Sequence, residues 1–255
     1  MTVEFVLKYY FILIISFLLI YFLGHFIFSI ACRKKEKNFL FHKLTIGLIT
    51  LPTLFAIYNS MGITVLVINV ALAMFFINFK KQNNKPGSGN LKIQFLTFDN
   101  GLAPALIALT LLYLSHLTLI FSIVDGGHII LISDYAYYSR TAGYLRDFGI
   151  ENRNIEYILS EKGGVTAYHY LELWLAACLS KVFNIHSQYA LVLITYCLIY
   201  TGIYTGAVYL NRELKKNHNK SIVWTDYVLG LCIFLVSVFK FLYPSNIDIL
   251  KTDVW

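Results

Sequence analysis

The segment "SDYAYYSRTAGYLRDFGIENRN", Ser133 to Asn154, gathers residue types from which a reaction centre can be built. Asp134 opens it, Tyr135, Tyr137 and Tyr138 follow at once, and Arg140, Tyr144, Arg146, Asp147, Glu151 and Arg153 continue it. A carboxylate near a low-dielectric surface and ringed by aromatics holds its proton more tightly, and it can act as a general base towards a hydroxyl. Rings such as those of Tyr135 and Tyr138 offer a flat apolar face and a polar tip, which suits sugars. The planar fork of Arg140, Arg146 or Arg153 suits phosphate oxygens. In a helix, Arg140, Tyr144 and Asp147 share a face at spacings of four and three. For any single arginine, an ion pair with Asp147 or Glu151 is the more ordinary use.

A second polar stretch, "SEKGGVTAYHYLELWLAACLSKVFNIHSQY", adds Glu161, His169 and Glu172. His169 and Glu172 stand three apart, on one helix face. Between Asp125 and Glu172 lie 7 of the 14 acids and 7 of the 19 tyrosines. No spacing resembles a metal-ligand set, so no cofactor is expected; a divalent ion between Asp134 and a second acid has no motif behind it. Gly87-Ser88-Gly89 lacks the lysine of a phosphate-binding loop and reads as a linker. Cys32, Cys178, Cys197 and Cys232 show no paired spacing and read as buried thiols.

The elements that must position these residues are built for lipid. The chain has 255 residues, 58% hydrophobic and 14% charged, with a mean hydropathy of +0.64. Soluble domains carry about 25% charged residues, so the composition predicts an all-α, polytopic membrane protein. The net charge of +7 belongs to basic loops held in the cytoplasm, and nucleic acid is not expected as a partner. Runs of about 20 apolar residues suffice to cross a bilayer as helix. They predict spans at Tyr9–Ile30, Phe39–Tyr58, Met61–Phe79, Leu102–Val124, Tyr189–Leu210 and Ile222–Phe239. Asn59-Ser60 is the break expected to fold the second and third spans into a hairpin. The first is retained, since 22 uncharged residues exceed a cleavable signal core.

Charge predicts the topology. Three loops, Arg33–Lys43, Lys80–Lys92 and Arg212–Lys220, carry 13 of the 21 basic residues. Six spans with the N-terminus outside put all three in the cytoplasm and Asp125–Gln188 outside. The count requires Ala167–Ile185 not to cross. With Tyr168, Tyr170 and Trp174 at headgroup depth it is expected to lie flat in the outer interface; a half-buried helix among the spans is the competing arrangement. Residues 1–101 then form an N-terminal three-span region and 102–255 the region bearing the polar chemistry.

A span, an outer loop opening on an acid ("SDYAYY"), then a second acid before an aromatic-rich helix ("AYHYLELW") resemble the catalytic half of the GT-C class of integral-membrane glycosyltransferases. The resemblance covers Leu102 to about Leu210. It implies sugar transfer from a polyprenyl-phosphate carrier at the outer face of a bacterial-type plasma (inner) membrane, with membrane lipid and the lipid-linked sugar as partners. Asp134 matches the class's catalytic acid; Glu161 by placement, or Glu172 by character, matches its second acid. His169 is placed beside that acid, and Arg140, Arg146 or Arg153 would hold phosphate. Members of the class usually continue well beyond the point that Ile222 marks here, so the resemblance also implies a piece of a longer chain or a shortened relative. A surface-polysaccharide polymerase or ligase, or a non-enzymatic membrane subunit, are the alternative functions.

Overall fold

The structure, a computed structural model, describes residues 2–31, 40–83, 101–122, 124–125, 128–129, 133–150, 170–217, 227–228 and 230–232. Within these, the side chains of 31, 72–83, 118–129, 133–134, 170 and 216–217 lie outside the description. Its helical elements are α1 (Val3–Ala31), α2 (Leu40–Asn83), α3 (Leu102–Ser122), α4 (Ser133–Phe148), α5 (Tyr170–Phe183) and α6. The last opens as Ser187–Tyr189, passes through a π-helical stretch Ala190–Thr195 and continues as Tyr196–Asn217. Between α3 and α4, β1 (Val124–Asp125) and β2 (His128–Ile129) form a two-residue antiparallel ladder.

α1 is apolar on every side, and its two faces have different fates. Tyr9, Leu13, Phe17, Ile20 and Tyr21 recur at helical spacing and are buried, whereas Leu7, Phe11, Leu19, Phe22 and Phe26 on the far side are exposed. An exposed apolar stripe of that length is the surface expected against acyl chains. Among the described residues, three helices, Val3–Ile30, Leu40–Ala71 and Ser187–Lys215, are long and apolar enough to cross a membrane, and Leu102–Leu117 is a shorter apolar helix. The protein is therefore a helical membrane protein. The expected span Ile222–Phe239 lies for the most part outside the described residues.

α1 and α2 meet backbone to backbone. A methyl built on Gly24 would stand 1.7 Å from the Lys43 carbonyl oxygen, and one on Gly47 2.0 Å from that of Ile20. Only glycine permits this approach, the device helices use where lipid supplies no hydrophobic drive to associate. Lys43 sits at the same crossing. The sequence places it in a basic loop; instead it is inside α2 and fully buried, its ammonium 5.4 Å from the Tyr21 ring centre. Side chains at a helix start follow the face they occupy, and this face points inward.

The break expected at Asn59-Ser60 falls two residues further on. Helix α2 consists of two helical segments that meet at a kink at Gly62, with φ 82° and ψ 172°, a conformation open to glycine alone. Asn59 and Ser60, just before the kink, bond to the C-terminal end of α4.

α5 occupies the centre. Every residue from Leu173 to Ser180 is buried, and the helix packs on α2, α4 and the π-helical stretch. A helix lying flat at an interface keeps one face open, so this enclosure matches the half-buried competitor better than the flat arrangement. Covered polar groups such as Ser180 are tolerated because they bond within the protein. From α3, the Tyr113 hydroxyl donates to the Val6 carbonyl at 2.7 Å, and Thr110 pairs with the Tyr10 hydroxyl at 2.9 Å. These tie α3 to α1.

Candidate functional site

α4 carries the stretch singled out by its chemistry, and three elements fix it. Its C-terminus ends on Gly149 at φ 68°, whose N–H bonds the Leu145 carbonyl at 3.1 Å, an αL cap. Three carbonyls at this end also take donors from other helices. The Asn59 amide reaches the Leu145 and Arg146 oxygens at 2.6 and 3.1 Å, and the Ser60 hydroxyl donates to that of Gly149. The Lys181 ammonium bonds Asn59 Oδ1 at 2.6 Å and lies 3.5 Å from the Arg146 oxygen. A cation there also meets the negative end of the α4 dipole.

The turn from α5 into α6 forms the opposite wall. Asn184 takes φ 49° and the Ile185 N–H returns to the Ser180 carbonyl at 3.1 Å, the six-to-one bond of a Schellman ending. The Ser180 hydroxyl donates to the Ile185 carbonyl at 2.6 Å. His186 then caps α6: its Nδ1 accepts from the Gln188 N–H at 3.3 Å. That bond assigns the neutral ring proton to Nε2.

Between these walls lies an open groove of about 540 Å³. Its α4 side is the stripe Ala136, Ser139, Arg140, Gly143, Tyr144 and Asp147, and its other side is His186, Ser187 and Gln188. Ala136, Ser139 and Gly143 recur at helical spacing as a low floor, with Arg140 and Tyr144 standing above it. The two walls come close at Gly143, where a methyl would stand 3.4 Å from Ser187 Oγ, in ordinary contact. Tyr144 stacks on Phe148 with centroids 5.8 Å apart.

The arginines divide by partner. Arg146 binds Asp147 through two contacts, Nε to Oδ1 at 2.7 Å and Nη2 to Oδ2 at 2.9 Å, and donates from Nη1 to Ser180 Oγ at 3.2 Å. The hydrogen bonding between the pair, more than charge alone, holds the Asp147 carboxyl below its usual range and raises the Arg146 guanidinium. Arg140 is exposed and has no acid partner among the described residues. Arg153 lies outside the described residues.

Tyr135 and Tyr138 pack against the core, and Tyr135 stands 5.6 Å from the Tyr196 ring. Neither lines the groove. Glu172, in the first turn of α5, is within electrostatic range of Tyr196 and also stands apart from the groove lining. Asp134 is in the first turn of α4, with its side chain outside the description, and Glu161 and His169 lie outside the described residues. The structure thus brings Arg140, Tyr144, Arg146 and Asp147 together and adds Ser139, His186 and Gln188, which sequence reasoning passed over. Only the recurrence of small residues at 136, 139 and 143 could have signalled the floor. No set of three metal-ligating side chains occurs among the described residues.

Comparison with known proteins returns no match among family models, curated proteins or solved structures.

Proposed function

We propose that this protein is a membrane glycosyltransferase that takes a sugar from a lipid-phosphate carrier at the outer face of a bacterial-type plasma membrane, which it crosses six times. The observation that carries this reading is the groove beside α4, with Arg140 uncommitted to any described acid and the Tyr144 ring next to it. A guanidinium without an acid, on a wall close to apolar helices, suits a phosphate that arrives tethered in lipid. Arg146, already held by Asp147, is the poorer phosphate ligand of the two.

In the transfer, the acceptor hydroxyl gives its proton to Asp134 and its oxygen bonds the anomeric carbon. The bond from that carbon to the phosphate oxygen breaks, and lipid phosphate leaves with the electron pair. No soluble nucleotide takes part. Glu161 or Glu172 is the second acid, and the aromatic side chains align the sugar.

The test is transfer from a panel of polyprenyl-phosphate sugars by the full chain in lipid, with an envelope extract as acceptor. Asp134→Asn is expected to cut turnover by about 100-fold or more, Arg140→Gln to raise KM, and Glu172→Gln to separate the two second-acid assignments. Equal turnover in wild type and Asp134→Asn removes the catalytic role. Dependence on Arg140 without dependence on Asp134 favours the polymerase or ligase reading, and no turnover of any donor favours a non-enzymatic subunit.

A further inference from the structure

We infer that the groove between α4 and the α5–α6 turn is a built oxyanion site of the phosphate type, with Ser139, Arg140 and His186 as its donors. Ser139 is the independent sign of a ligand. It is 4% exposed, lines the groove, and its hydroxyl has no hydrogen-bond partner among the described residues. Buried hydroxyls inside helices ordinarily return to a carbonyl one turn back. Those of Ser16, Thr141 and Thr201 do so at 2.7 to 3.0 Å. Ser139 leaves its proton unspent at the groove floor, and an unpaired buried hydroxyl is costly unless something else accepts from it.

The other donors are set by their surroundings. His186 uses Nδ1 to accept from Gln188, so the neutral ring has N–H at Nε2 and offers a donor without needing a charge. Arg140 stands next to Ser139 on α4 and supplies the positive charge and planar fork. Arg146 and Asp147, at the same groove, neutralise one another, which leaves Arg140 as the uncompensated charge among the described groove residues. One cation, one hydroxyl and one imidazole N–H, with no free carboxylate among the described groove residues, select an anion with several acceptor oxygens. The site rests on the glycosyltransferase reading only for which phosphate occupies it.

The test reads binding without any sugar or acceptor. Full-length protein in detergent is titrated with a polyprenyl monophosphate, with the uncharged polyprenol of the same length, and with inorganic phosphate. The polyprenyl phosphate is expected to bind at least about tenfold tighter than the alcohol, in line with a charge-assisted contact. Arg140→Gln erases that margin and Ser139→Ala reduces it about threefold or more, while alcohol binding stays unchanged in both and thermal stability stays unchanged in Arg140→Gln, whose native side chain is exposed. Arg140→Lys restores part of the margin through its charge, and His186→Asn, which keeps a capping acceptor, weakens binding severalfold. Inorganic phosphate binding that weakens in the same variants, with no gain from the lipid tail, upholds the anion site and assigns it to free phosphate. A protein that binds but transfers nothing keeps the site and loses the transferase reading. Equal binding of phosphate and alcohol by wild type, or full phosphate binding in both Ser139→Ala and Arg140→Gln, overturns the inference.

Discussion

Two arginines six residues apart on one helix illustrate how local partners divide chemistry. Arg146 is committed twice, to Asp147 and to Ser180, and acts as a strut between α4 and the end of α5. Arg140 has no such commitment among the described residues. The Asp147 carboxyl sits below its ordinary range because the Arg146 hydrogen bond stabilises its charged form. A depressed folded value contributes stability that is fully present above the unfolded value of about 3.9 and is lost as pH falls through the folded one. Thermal unfolding in detergent should therefore hold steady from neutral pH down to about pH 5 and weaken below about pH 4. In Asp147→Asn that acid limb should flatten. With Asp147 51% exposed, screening keeps the effect to about 0.2–1 kcal/mol, and a larger loss at neutral pH would mean that the strut does more than pair charges.

At the scale of elements, small residues and helix ends do most of the positioning. The α1–α2 crossing tolerates no side chain at Gly24 or Gly47, where a methyl would fall inside the opposing backbone. Gly24→Leu should destabilise the protein by about 2 kcal/mol or more through forced separation of the helices. Phe11→Leu, on the exposed apolar face of the same helix, should stay within about 0.5 kcal/mol. Similar losses for both, measured as shifts in unfolding temperature, would show that the two helices do not depend on close approach. Helix ends are used in the same economical way: Asn59, Ser60 and Lys181 donate to carbonyls at the C-terminal end of α4. The position of α4, and with it the groove, thus depends on a pair of residues in α2 more than 70 positions earlier in the chain.

For the whole molecule, the placement of the polar segment relative to the membrane decides whether the groove can meet a lipid-linked substrate. The basic loops predict that Asp125–Gln188 faces outward and Lys80–Gly101 inward. Single cysteines at Ser160 and Ser88, in a background with the native cysteines replaced, should react with an impermeant reagent from outside only at the first. Labelling at Ser88 from outside would reverse the topology and remove the outer-leaflet proposal. The enclosure of α5 bears on the same scale: a helix buried from Leu173 to Ser180 is packed among its neighbours, and its hairpin with α6 presents the His186 turn to α4.

What the sequence determined by itself was the solvent this chain is made for and the helical habit of its segments. Those depend on the summed hydrophobicity of runs about 20 residues long, an additive property of composition. The helical face shared by Arg140, Tyr144 and Asp147 was legible for a related reason, because a spacing of three or four is local geometry. Which partner each arginine keeps, why Ser139 has none among the described residues, and how Asn59-Ser60, beside the break in α2, comes to cap α4 were decided only by tertiary structure. So was the burial of Lys43. Each depends on groups brought together from distant parts of the chain, and neither periodicity nor propensity contains the distances between them.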